Sequence, residues 1–274
     1  MMTEPLRLMC VLAHPDDESL GTGGTLARYA AEGVETYLVT ATRGQRGWKG
    51  AKEDYPGPEA LGGLRTEELN SATRVLGIRR LWLLDEMDGE LDQADPEKLT
   101  REIARCIREA RPHVVVTFGP DGAYGHPDHI AISQFAAAAV VRAATPDDTH
   151  GSTPHSVSKL YYMAATQELM DAYQAAFGTF NKVVDGKARR AVAWQDWSIT
   201  TRVDTRGYTS LVWDAIYCHE SQLKDFAKLQ ALPEERRHSI FGEQTYYRAF
   251  SLVNGGRTVE HDLFSGLRRG GNSV

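Results

Sequence analysis

The chain alternates short apolar runs with amphipathic stretches. Residues 6–13 form a nearly unbroken apolar run, as expected of a strand buried on both faces. Residues 35–40, 81–84, 113–118 and 159–164 repeat that signature and predict four further strands. Between them, helical periodicity predicts helices over 23–32, 65–76 and 128–144. Gly77 sits where a helix C-cap favours glycine. Another helix starts at Asp95-Pro96-Glu97, an N-cap acid followed by first-turn proline, and stops before Arg111-Pro112. The glycine- and proline-rich stretch from Thr42 to about Gly63 reads as a long loop.

Strands interleaved with helices of this length predict an α/β, Rossmann-like three-layer fold. Its central sheet is mostly parallel with right-handed crossovers, and its active site lies at the C-terminal strand ends. Residues 166–274 are less regular, with a helix expected near 167–177, a strand near 197–203 and a helix over 209–226. With no repeat and no clear linker, the expectation is one domain over 1–274, with a core of about 5–165 and an elaborated C-terminal part.

Two predicted strand ends carry dense ionisable clusters. The first strand runs into His14-Pro15-Asp16-Asp17-Glu18. The fourth runs through Gly119-Pro120-Asp121 into Tyr124-Gly125-His126-Pro127-Asp128-His129. Sheet packing does not call for such clusters, and adjacent carboxylates repel unless a cation offsets them. Helix capping accounts for either segment alone, but less well for both together. Two imidazoles and a carboxylate around a divalent ion, with one position left for water, compose a catalytic zinc site. Residue types alone leave open which carboxylate binds the ion and which moves protons.

The paired motifs resemble the LmbE/PIG-L superfamily of zinc-dependent N-deacetylases, well over about 5–145 and more weakly at Cys218-His219-Glu220-Ser221-Gln222 and Asp262-Leu263-Phe264. The resemblance implies His14, Asp17 and His129 as metal ligands and Asp16 as general base. It implies His126 as oxyanion stabiliser oriented by Asp128, and Tyr124 as a second polarising group. Zinc is the implied cofactor, although His/Asp/His ligation also accepts iron(II), cobalt or manganese. The implied reaction removes an acetyl group from an N-acetylated amino sugar or related small conjugate. An amidase cleaving a larger acyl group would use the same machinery.

Arg43, Gln45, Arg46 and Trp48 in the long loop read equally as substrate contacts or as a solvated loop with one anchoring aromatic. The resemblance implies substrate contacts from Arg65 and from Asp88 beside Gly89, a pair that also fits an ordinary turn. Glu18 reads as helix-start or supporting structure, and His219 as a core or hydrogen-bonding histidine ahead of a fourth ligand. Among rivals, Gly21-Thr22-Gly23-Gly24 falls where a dinucleotide fingerprint would sit. Leu26 breaks that pattern, and the preceding acids would repel a pyrophosphate. A non-catalytic metal-binding module is another rival. No G-x-S-x-G elbow supports serine hydrolysis.

The net charge of −6 argues against a nucleic-acid binder. No apolar run approaches the roughly 18 residues of a membrane span. Three scattered cysteines and no signal-peptide pattern favour the cytoplasm. The expected partner is a small N-acyl substrate, and a homo-oligomer is left open.

Overall fold

The computed structural model describes residues 4–146, 153–177, 181–184 and 186–268. Seven strands form one sheet in the order β3-β2-β1-β4-β5-β9-β8. They are β1 (Arg7–Leu12), β2 (Glu35–Thr42), β3 (Arg80–Glu86), β4 (Val114–Thr117), β5 (Lys159–Met163), β8 (Thr201–Asp204) and β9 (Glu243–Ser251). A separate hairpin pairs β6 (Asn181–Val184) with β7 (Lys187–Arg190). β1 to β5 run parallel, whereas β9 is antiparallel to both β5 and β8. The mostly parallel α/β sheet read from the sequence is therefore present.

β1 is central because five of its six residues are buried. The chain lays β2 and β3 on one side of β1, then returns to place β4 and β5 on the other. Helices α1 (Asp17–Ala31) and α2 (Pro58–Val75) serve the outward crossovers, and α3 (Pro96–Ala110) and α5 (Pro127–Ala144) serve the return. α3 packs on α5, whereas α1 and α2 pack on α7 (Thr209–Cys218). Between them, α4 (Gly122–Gly125) is a single irregular turn, with Ala123 at φ 63°. This reversal makes β1 and β4 neighbours, with Leu8 opposite Val114 and Cys10 opposite Val116. At such a switch point, the loops leaving two adjacent strands diverge and open a crevice.

Four boundaries differ from the sequence reading. α1 begins at Asp17, not near residue 23, and carries its glycines inside the helix. They allow close packing, since a Cβ on Gly24 would lie 2.6 Å from Thr205 Cβ. α2 begins at Pro58, so the long loop is shorter than expected. The expected 209–226 helix breaks at His219, leaving α7 and α8 (Leu223–Gln230) with a 3-10 turn over Glu220–Gln222. The strand expected near 197–203 is β8, and β9 and the β6–β7 hairpin are additional. α6 (Gln167–Phe177) agrees with the sequence, and α9 (Glu234–Phe241) precedes β9. Among the described residues, no helix is long and apolar enough to cross a membrane.

Candidate active site

The loops after β1 and β4 meet over the sheet edge and bring His14, Asp17 and His129 together. His14 Nδ1 and His129 Nε2 are 3.2 Å apart. Asp17 Oδ2 lies 3.6 Å from His14 Nδ1, and Asp17 Oδ1 lies 3.5 Å from His129 Nε2. A tetrahedral ion with bonds of about 2.0–2.2 Å spaces its ligand atoms about 3.3–3.6 Å apart. The two ring nitrogens, and one Asp17 oxygen beside each, thus lie at the spacing that ligands of such an ion adopt.

Outer partners select which nitrogen of each ring points inward. His14 Nε2 lies 3.0 Å from Asp128 Oδ2 and 3.2 Å from Asp88 Oδ1, so that nitrogen carries hydrogen. His129 Nδ1 lies 3.3 Å from the Gly122 carbonyl, again an acceptor-only partner. In the neutral rings, the inner nitrogens therefore both present lone pairs, which cannot satisfy each other. Asp17 is fixed by the amides of His14 and Ala13, at 2.8 and 3.2 Å. Burial alone would lower the pKa of His14, but hydrogen bonds to Asp128 and Asp88 and the Asp17 charge push it up to about 10. The cluster demands positive charge at its centre. A proton supplies one unit and a divalent cation two, so the donor set fits such an ion by geometry and by charge.

Asp16 borders the same cavity and caps α1 in the left-handed region, at φ 108°. For a non-glycine residue this costs about 1–3 kcal/mol and must be held by its surroundings. Arg65 contributes to that hold. It is 3% exposed, donates to the Pro15 and Gly44 carbonyls, and its Nη2 reaches Asp16 Oδ2 at 3.3 Å. From below, Glu18 Oε2 accepts the Asp16 amide at 3.0 Å. Glu18 Oε1 accepts from Ser19 Oγ at 2.5 Å and His219 Nε2 at 2.7 Å. Burial would raise the Glu18 pKa, yet His219 and these hydrogen bonds bring it below the usual carboxylate value. His219 is fully buried, away from the ligand trio's own contacts, and acts as a hydrogen-bonding histidine.

Tyr124 and His126 close the other side. Their rings meet edge to face at 5.8 Å, and Tyr124 meets His129 at 5.4 Å. Burial and the nearby Asp17, Asp16, Asp88 and Asp128 charges push the Tyr124 phenol upward, so it remains a hydroxyl donor. His126 Nδ1 accepts the Asp128 amide at 3.2 Å, which leaves the proton of the neutral ring on Nε2. The fully buried Asp128 carboxylate binds His14 and the amides of Gly89 and Leu91, and carries an oxygen within 4.8 Å of a His126 ring nitrogen. Asp88, expected on the substrate, is 7% exposed and also fixes His14, although it borders the cavity.

The cavity holds about 650 Å³. Arg65 and Asp88 line it with Gly47, Lys49 and Gln222, whereas Arg43, Arg46 and Trp48 do not. Arg43 pairs with Glu59 and Asp85, Arg46 pairs with Glu90, and the Trp48 indole donates to the Ala51 carbonyl. Gln45 is buried and binds backbone around residues 43 and 86. The opposite wall is apolar: Leu169, Met170, Phe226, Leu229 and Ile240, from α6, α8 and α9.

Residues 9–140 match the family described as "PIG-L: GlcNAc-PI de-N-acetylase". A 1D-myo-inositol 2-acetamido-2-deoxy-alpha-D-glucopyranoside deacetylase from Rhodococcus jostii (strain RHA1) is 34% identical over 297 residues, covering 95% of this chain and 98% of that protein. The fold is similar to N,N'-diacetylchitobiose deacetylase from Pyrococcus horikoshii, with a TM-score of 0.64 and 19% identity over 89% of this chain and 84% of the other. It is equally similar to GalB, a 4-carboxy-2-hydroxymuconate hydratase from Pseudomonas putida KT2440, with a TM-score of 0.65 and 19% identity over 92% of this chain and 99% of the other. One fold thus carries more than one reaction, and the sequence relationship is the narrower guide. On that relationship, the chain belongs to the PIG-L (LmbE-like) family.

Proposed function

We propose that this protein removes the acetyl group from an N-acetylglucosamine conjugate, with a glucosaminyl-inositol as the leading substrate and zinc as the ion. The observation that carries the reading is the meeting of His14, Asp17 and His129 beside Asp16 in one cavity. The relatives' deacetylase activity supports the reaction class. A cytoplasmic setting accords with three free cysteines.

His14, Asp17 and His129 would hold the ion, which when bound supplies a Lewis-acid centre that makes water acidic near neutral pH. Asp16 stands beside that centre to take a proton from the attacking water. It then returns the proton to the departing amine nitrogen. Tyr124 and the Nε2–H of His126 provide donors for the carbonyl oxygen as it gains charge. Asp128 and Asp88 keep His14 in the tautomer that faces the ion.

The test joins metal analysis of purified protein to free-amine release from 1D-myo-inositol 2-acetamido-2-deoxy-alpha-D-glucopyranoside, with N-acetylglucosamine and bulkier N-acyl analogues alongside. About one zinc per chain and acetyl release support the reading. A metal-loaded protein that releases no amine from any of them refutes it. The apolar wall favours one second reading, cleavage of a larger acyl group. Preference for the bulky analogues would select it.

A further inference from the structure

We propose that Glu18 and His219 are positioning residues that hold Asp16 in the backbone conformation from which it acts. The proposal rests on the reading of Asp16 as the proton-transfer group. Glu18 belongs to the first turn of α1, whereas His219 lies 201 positions away at the end of α7. Both side chains are fully buried, and neither contributes a ligand atom to the His14, Asp17 and His129 trio.

The argument starts from donors and acceptors. Three donors converge on the Glu18 carboxylate: the Asp16 amide, the Ser19 hydroxyl and the His219 Nε2–H. A carboxylate satisfies all three because both oxygens accept, whereas a carboxamide has one accepting oxygen. The Asp16 amide is the critical member of the set. Its residue occupies the left-handed region, which a side chain bearing Cβ adopts only when neighbours enforce it. Arg65 grips Asp16 through the Pro15 carbonyl and the Asp16 carboxylate, and Glu18 grips its backbone N–H. His219 orients Glu18 in the buried interior by holding Oε1 at 2.7 Å, which leaves Oε2 free to accept the Asp16 amide.

The break between α7 and α8 acquires a purpose on this account. A continuous helix over 209–226 would carry His219 in regular φ/ψ. Instead it adopts φ −88° and ψ 59° while its ring reaches Glu18. Seen this way, the C-terminal part of the chain reaches under the catalytic loop and fixes the aim of a group 203 positions earlier, from His219 to Asp16.

The test compares His219→Leu with His219→Gln in zinc-loaded full-length protein. Leucine removes the donor, whereas glutamine retains an N–H at similar reach. We expect His219→Leu to lower kcat per bound zinc by roughly 10–100-fold with KM little changed, and His219→Gln to recover most of the loss. A second readout needs no turnover: amide hydrogen exchange at Asp16 should accelerate in His219→Leu, while the His14 amide, held by Asp17, keeps its protection. Glu18→Gln should act in the same direction and serves if His219→Leu does not fold. Unchanged kcat per zinc, or unchanged Asp16 protection, overturns the proposal. A parent protein inactive on every N-acetyl sugar would instead refute the functional reading, and the exchange measurement would still decide the positioning role.

Discussion

β1 and β4, side by side in the parallel part of the sheet, lead into the loops and first helical turns that carry all three ligand candidates and Asp16. β9 lies antiparallel next to β5, and it is the beginning of β9, Glu243, Gln244 and Thr245, that reaches the same cavity. Parallel strands deliver all their carboxyl ends to one edge, so short loops there can pool reactive groups. An antiparallel strand presents its other end to that edge, and here it adds cavity lining only. The two parts differ accordingly in what substitution should do: reactivity should fail in the first, whereas in the second aim, fit or stability should fail.

The largest effect is expected from removing the ion. Dialysis against a chelator should abolish amine release, and added zinc should restore it; activity that survives in protein shown to be metal-free would break the comparison at its root. Asp16→Asn comes next. It should retain zinc by metal analysis while kcat falls about 10²–10⁴-fold, the range of a lost general base. His126→Ala should cost about 10²–10³ in kcat, as for one lost oxyanion donor. Turnover at the parental rate would leave Tyr124 as the main donor.

Where α1 meets the C-terminal part of the chain, Gly24→Ala should push a methyl against Thr205. We expect a loss of about 1–3 kcal/mol in chemical denaturation with KM unaltered. Arg43→Ala should do least. Its partner Glu59 is exposed, so stability should change by no more than about 1 kcal/mol, and KM should hold if the arginine stays off the substrate. A large rise in KM would instead bring the loop arginines back to the site.

Legibility in the sequence followed the same division. The parallel strands were readable because burial on both faces leaves unbroken apolar runs such as residues 6–13. The ligand clusters stood out because acids beside histidines at a strand end have no packing explanation. Glycine misled the helix starts twice. At Gly24 and Gly62 it marks close approach inside a helix, to Thr205 and to Arg43 with Gln45, not a break. β9 was missed because it is only partly buried over most of its length. The Glu18–His219 pair joins residues far apart in the chain, and no local pattern announces that His219 turns inward and ends α7.

The placement of β1 beside β4 also bears on how the chain would acquire the proposed cation. His14 and His129 are 115 positions apart, and three helices and two strands intervene before β4 can dock. Closing so long a loop is entropically slow compared with local helix formation. If His14, Asp17 and His129 hold the proposed ion, its uptake would report a late event in folding, and a nascent chain still short of His129 would lack one of the three proposed ligands.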